Sequence, residues 1–276
     1  MPSYTVNAIN VGSFNLGESD KLLTLFTAER GLMKAVAKGA RKPGSKIAGR
    51  AEVLNINRLF ISKGRSLDII TQAEGIENFS RLRHDLLRLS YALYYAEVTQ
   101  IFGQGVSEES LAYFDFLADS LQKQAEGQED ATWLCLKFEL ALMQFLGYFP
   151  ELTYCIICRQ ILTDMNLSVF DRELGGIACQ TCHQKYSHSL VKERSNLQAD
   201  EEYVELKAAI QITPRVWKNL VLASQSLDAP DLAVTAIRQS VNAAQRLLEK
   251  YIEHRASRKV KSLDMLAGIS ATTAKY

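Results

Sequence analysis

The sequence predicts an α+β protein: a small β-barrel, then a helical domain that carries an inserted four-cysteine metal module. Three observations lead there. Short runs of branched and aromatic residues alternate with turn residues over positions 1–77. From Asn78 the apolar residues recur at three- and four-residue spacing instead. Between Cys155 and Cys182 four cysteines form two C-x2-C pairs separated by twenty residues.

The strands come first. YTVNAINVGSF alternates in part, and KLLTLFTAERGLMKAVAKG reads as two strands joined at Glu29, Arg30 and Gly31. VLNINRLFIS alternates well, with Val53, Asn55, Asn57, Leu59 and Ile61 on one side and Leu54, Ile56, Arg58 and Phe60 on the other. SLDIITQAEGI follows a turn at Lys63, Gly64 and Arg65. About five short strands in so short a stretch suit a small barrel, and the pattern also admits a sandwich or an SH3-like barrel. The helices follow. Leu82, Leu86, Leu89, Leu93 and Ala96 mark the first, and SEESLAYFDFLADSLQKQ the second, with Ser107 and Ser110 in its cap region. ATWLCLKFELALMQFLGYFP is a third, closed by Gly147 and Pro150, with Cys135 as a small buried hydrophobe. Beyond residue 195, DEEYVELKAAIQI reads as a helix with acids at its start. TPRVWKNLVLASQSL has Thr213 as N-cap before Pro214. The long amphipathic segment from Asp231 to Ala256 comes last, and the tail is expected to fray beyond about residue 267. The division expected is 1–77 barrel, 78–150 first helical part, 151–195 metal module and 196–276 second helical part with a basic end.

Each C-x2-C pair presents two thiolates from one tight turn, and two turns close a tetrahedral site. Cys155, Cys158, Cys179 and Cys182 are therefore candidate ligands of one structural Zn²⁺. Two disulfides and an iron–sulfur cluster are the competing readings, and His183 and His188 are neighbouring candidates. LSVFD suits a strand between the pairs, and Gly175 and Gly176 the turn back.

Net charge is only +1, but it is sorted along the chain. Residues 1–77 carry 11 basic and 7 acidic groups, and residues 78–150 carry 5 and 10. The cations concentrate between 30 and 50, at Arg30, Lys34, Lys38, Arg41, Lys42, Lys46 and Arg50, with no acid between them. Four glycines and Pro43 make this a loop, either a phosphate grip or a solvated linker. Gly39, Gly44 and Gly49 predict a loop that is mobile until a bound ligand orders it. Arg81, Arg83 and Arg88 extend the basic surface, as do Arg255, Arg258, Lys259 and Lys261, where cations also answer a helix dipole. Phe14, Phe26 and Phe60 are stacking candidates or barrel core. No phosphate-binding glycine motif, H-E-x-x-H or serine elbow is present, which favours binding over catalysis. No signal peptide or spanning segment is read, so an intracellular, cytoplasmic location is expected.

The order of barrel, KGARKPGSK loop, FELALMQFLGYFPELTYCIIC, GGIACQTC and a final VKSLDML resembles the bacterial RecO family of DNA repair and recombination proteins. The resemblance covers nearly the full length. It implies an OB fold for the barrel, binding of single- and double-stranded DNA, and annealing of complementary strands. It further implies work with RecR to load RecA onto strands coated by single-strand-binding protein, docking of that protein's C-terminal tail, and association with the nucleoid. Lys34, Lys38, Arg41, Lys42, Lys46, Arg50, Arg81 and Arg83 are the candidate DNA contacts. The competing readings are a zinc-stabilised scaffold whose loop binds an acidic protein, and an RNA-processing enzyme that uses the barrel as a clamp.

Overall fold

The computed structural model describes residues 2–185, 206, 208–225, 228–264 and 266. His188, the first part of DEEYVELKAAIQI and the tail expected to fray lie outside them. The chain separates into two compact units, Met1–Leu134 with Lys259–Tyr276, and Cys135–Arg258.

The first unit is built on five strands: β1 (Ser3–Leu16), β2 (Asp20–Thr27), β3 (Gly31–Ala37), β4 (Ile56–Ser62) and β5 (Asp68–Glu77). They close in the order β1-β2-β3-β5-β4. All neighbours are antiparallel except β3 and β5, which run parallel from Ala35 and Asp68 to Ala37 and Ile70. β1 reaches both β2 and β4, and its register shifts between Asn10 and Gly12, where a bulge bends the strand around the barrel. The inward face is the period-two set Val6, Ala8, Leu23, Leu25, Ala35, Ala37, Leu59, Ile61 and Ile70. The barrel is an OB fold, as the resemblance implies.

β4 begins three residues later than its alternation suggests. Leu54 is left-handed, φ 76°, and ends the extended run. The residues before it serve the loop: Leu54 N–H donates to Asn10 O at 2.8 Å, and Asn55 Nδ2 to Gly49 O at 2.6 Å.

Three helices complete the unit's fold: α1 (Leu86–Phe102), α2 (Ser110–Glu126) and α3 (Ala131–Phe145), the last continuing into the second unit. Asp85 caps α1 through Arg88 N–H, and Asp130 accepts from Thr132 and Trp133 N–H at the start of α3. No side chain caps α2. Ser110 Oγ donates instead to Ala28 O of the barrel at 2.9 Å, so that serine fixes helix to barrel. Tyr113 of α2 meets Phe26 of β2 edge-on, ring centroids 4.9 Å apart. The chain returns at Lys261 and Ser262, whose N–H groups both donate to the Glu97 carboxylate of α1.

The second unit holds β6 (Leu167–Asp171), β7 (Gly176–Cys179) and β8 (Ala209–Gln211) in the order β7-β6-β8, with α4 (Pro214–Ser224) and α5 (Thr235–Ala256). Thr213 accepts from Val216 N–H and Pro214 opens α4, as expected. The end of DEEYVELKAAIQI is a correction: Ala209–Gln211 is a strand, with Ile210 opposite Phe170. Its edge pairing with β6 outweighs a helical pattern too short to hold alone.

Asn10, wholly buried, donates from Nδ2 to Arg50 O at 2.7 Å and to Glu52 O at 2.8 Å. Asn10→Ala is expected to lose about 1–3 kcal/mol in denaturant melts and to speed amide exchange at residues 48–52. Leu59→Ala, in the barrel core, should cost about 2–5 kcal/mol without singling out the loop.

Candidate nucleic-acid interface and metal centre

The basic loop leaves β3 at Ala37 and returns to β4 at Ile56. It is wound into consecutive tight turns: Lys42 N–H donates to Gly39 O, Ser45 to Lys42 O, Ala48 to Ser45 O and Ala51 to Ile47 O, all within 3.2 Å. Ala40 and Ala51 plug it into the barrel core. Three buried asparagines bind its far end. Asn10 and Asn57 both donate to Arg50 O, and Asn55 to Gly49 O. Expected from its glycines to be ordered by a bound ligand, the loop is thus already shaped by its own turns and anchors.

Lys34, Lys38, Arg41, Lys42, Lys46 and Arg50 are all exposed, and none forms a salt bridge among the described residues. They are not equivalent. Arg41 donates from Nη1 to Gly17 O at 2.8 Å, and its N–H to Ser19 O, tying the loop to the β1–β2 turn. Arg50 lies across β5: a Cβ on Gly75 would stand 2.0 Å from its Nη1. Asp20 sits beneath the loop. The Gly39 N–H, the Ser19 hydroxyl and, more weakly, Lys38 and Lys42 hold its carboxyl below the usual carboxylate range. Lys38 and Lys46 line an open groove of about 450 Å³ with Ser45, Ile47, Ile69, Ile70 and Thr71. The sequence did not reveal this groove, because its walls come from the loop and from a strand twenty residues on.

Arg81 and Arg83 are exposed on the 3-10 turn Ser80–His84, which packs against α1 and α2, and they do not line the groove. Arg88 is committed to structure, with Nη2 donating to Glu129 O at 2.7 Å. Arg255 likewise donates to Glu173 O and lies over the Tyr148 and Tyr251 rings. Of the three phenylalanines, Phe26 is buried, Phe60 is half-buried and Phe14 is 70% exposed.

The four cysteines converge in the second unit. Cys155 and Cys158 share one turn, closed by Cys155 N–H to Gln160 O and Arg159 N–H to Cys155 O, with Arg159 left-handed at φ 61°. Cys179 ends β7 and Cys182 lies in the helical turn that follows. The four sulfurs lie within 4.8 Å of one another, and Cys158 and Cys179 are 3.8 Å apart. Tetrahedral zinc with bonds of about 2.3 Å needs sulfurs about 3.8 Å apart, so the set fits such an ion, and the disulfide reading does not fit that spacing. Burial pushes the Cys182 and Cys179 thiols up. At Cys155 burial is outweighed by N–H groups of Cys179, Cys158 and Ile157, which bring the thiol down to about 7. Four sulfurs fill a tetrahedron and leave no position for substrate. His183 is turned elsewhere, its Nδ1 2.7 Å from Ser168 Oγ.

Helices support this centre through residues whose part the sequence did not disclose. Trp217 of α4 donates to Leu152 O at 2.8 Å, just before the first pair. Tyr251 of α5 donates to Tyr148 O and packs edge-on against Phe170 of β6. The hairpin turn at Gly175, φ 73°, fits beneath Tyr251 and Arg255, where a Cβ would meet Tyr251 Oη at 2.7 Å.

The closed barrel and the four-sulfur cluster together define an OB-fold protein with a four-cysteine module that could hold a metal ion. The family descriptions Recombination protein O N terminal and Recombination protein O C terminal match residues 1–79 and 83–264. The chain belongs to the RecO family of DNA repair and recombination proteins. It is similar to the DNA repair protein RecO of Gloeobacter violaceus, 32% identical over 96% of this chain and 92% of that one. The DNA repair protein RecO of Desulforamulus reducens is 29% identical over 96% and 94% of the two chains. That of Pelotomaculum thermopropionicum is 38% identical over 66% and 69%. Among the described residues no helix is long and apolar enough to cross a membrane.

Gly175→Ala is expected to destabilise the second unit by more than about 1 kcal/mol, since it adds left-handed strain to the clash. Thermal unfolding should show the loss, while Gly44→Ala, with nothing within 4 Å of its Cβ, should show only the backbone cost.

Proposed function

We propose that this chain is a recombination mediator that binds single- and double-stranded DNA and anneals complementary strands. One observation carries the reading: on a barrel that belongs to a DNA repair family, Lys34, Lys38, Lys42 and Lys46 stand exposed and form no salt bridge among the described residues. Lys34 projects from β3, and the other three follow it in the loop. Such cations neutralise phosphate and displace counterions, so they reduce repulsion between two strands while the bases remain able to pair. No covalent bond changes in this step. Arg41, whose guanidinium donates to Gly17 O, and Arg50, whose carbonyl is held by Asn10 and Asn57, set the loop's shape and add charge at its two ends. Arg81 and Arg83 contribute a more distant phosphate contact.

In this reading residues 1–77 are the DNA-binding domain, and residues 151–195 are a zinc module within a helical domain of 78–150 and 196–276. The chain loads RecA, with RecR, onto strands coated by single-strand-binding protein. It docks that protein's C-terminal tail on a basic and apolar surface of the helical domain. It works in the bacterial cytoplasm, at the nucleoid. Cys155, Cys158, Cys179 and Cys182 would hold one structural Zn²⁺, which supplies folding energy to a segment with little core of its own.

Replacing Lys38, Lys42 and Lys46 together by Ala should weaken binding to every DNA sequence. The log–log salt slope for single strands should fall by about 0.7 for each phosphate that is no longer neutralised. Unchanged affinity and slope would refute the grip. The triple variant should also slow annealing of complementary oligonucleotides, both bare and coated with single-strand-binding protein. Elemental analysis should find about one zinc per chain, and its removal by a chelator should lower the melting temperature. Zinc-free protein of full thermal stability would rule out the structural role.

A further inference from the structure

The outer face of the barrel carries an apolar strip beside the basic loop. Phe14 of β1 is in register with Leu22 of β2, Leu22 with Val36 of β3, and Val36 with Ile69 of β5. Residues in register across a sheet share a face. Leu23, Ala35, Ala37 and Ile70, next to them in sequence, fill the barrel, so the four point outward. Three inter-strand steps make the strip about 14 Å long.

Its exposure is uneven. Val36 is buried, Leu22 and Ile69 are half-buried, and Phe14 is open to solvent. Elsewhere on the outer face of β2, Phe26 is covered by Tyr113 of α2, so the same unit hides one phenylalanine and leaves the other bare. Cations border the strip. Lys34, in register with Thr24, shares its outward face, and the far end runs into the groove lined by Lys38, Ser45, Lys46, Ile47, Ile69 and Thr71. Two ammonium groups and the Ser45 hydroxyl around an isoleucine floor suit a phosphate with its sugar, while the Thr71 hydroxyl donates to Phe60 O. A flat aromatic suits an unpaired base, because every base has a π-face.

We propose that this strip is a single-strand track, with Phe14 stacking on one base and the Lys38–Lys46 groove taking a phosphate further along the same strand. The inference rests on the DNA-binding reading above and adds which form of DNA the barrel selects. A duplex keeps its bases stacked on one another, so it gains from the cations and nothing from Phe14. Pairing therefore withdraws the bases from the strip. An annealed product is held more weakly than its separate strands and leaves the barrel.

The test compares full-length protein with Phe14→Ala, Phe14→Trp and the double variant Lys38→Ala/Lys46→Ala. Each is titrated with a labelled oligothymidine and with a blunt duplex at several salt concentrations. Phe14→Ala should lose about 5- to 150-fold in single-strand affinity, with duplex affinity within twofold and both salt slopes unchanged. Phe14→Trp should retain single-strand binding. The lysine double variant should weaken both forms and flatten both slopes. The strip is refuted if Phe14→Ala leaves oligothymidine binding intact or weakens both forms equally. If the unaltered protein binds neither form, the DNA-binding reading falls and takes the strip with it. If it binds both and only the Phe14 pattern is missing, the strip alone falls.

Discussion

The carbonyl of Arg50 accepts from two buried amides, Asn10 Nδ2 on β1 and Asn57 Nδ2 on β4, and the shape of the basic loop follows from that joint. With Asn55 on Gly49 O, it holds the returning end of an eighteen-residue excursion to the barrel wall. Without it the returning half of the loop, with Lys46 and Arg50, would be less constrained, and those cations would lose more conformational entropy on meeting a ligand. The joint has a cost. The Oδ1 atoms of all three asparagines are buried without a hydrogen-bond partner among the described residues. Polar groups buried in this way lower stability. An apolar plug would have been the more stable solution, and Ala40 and Ala51 already provide that. What the amides add is direction: they fix the backbone at residue 50, and the Arg50 side chain then crosses β5 at Gly75.

The second unit solves a similar problem by other means. Two short strands and two turns around Cys155 and Cys179 cannot bury enough surface to stand alone. Four converging sulfurs fit a cation, and the hairpin is held from outside by Tyr251 and Arg255 of α5 and by Trp217 of α4. Gly175 is the close approach that lets α5 reach the turn. Arg255, a surface cation by its position in the sequence, is better understood as part of that support.

Much of this is legible in the sequence. The strands show because a closed barrel demands period two from every wall, and the cysteine spacing shows because ligand geometry demands it. Alternation even puts Asn57 on the correct face, beside Leu59 and Ile61. Its role stays hidden, since nothing local tells a core amide that anchors a loop from a polar residue facing water. The same limit separates Phe14 from Phe26. Both lie on outward faces of adjacent strands, and only the arrival of Tyr113, some ninety residues on, decides which is covered. Ala209–Gln211 reads wrongly as helix because a three-residue strand has no period, and its partner β6 lies about forty residues earlier.

The sorting of charge gains a spatial meaning from the fold. The acidic excess of residues 78–150 includes Glu108, Glu109, Asp115, Asp119 and Glu126, all exposed and all on α2 or the turn before it. α2 packs against β2 and β3 within the same unit. The barrel therefore carries cations on the loop and acids on the helix that covers it. Salt screens exposed charges beyond about 8–10 Å, so each patch acts mainly on what lies against it. On the DNA-binding reading this arrangement repels a polyanion from α2 itself and leaves it the loop, the strip and the Arg81–Arg83 turn. A protein with cations on every side would bind DNA by wrapping and would bury the bases it should expose. Concentrating cations on the loop neutralises phosphate mainly from that side, and a second strand can then approach from the other.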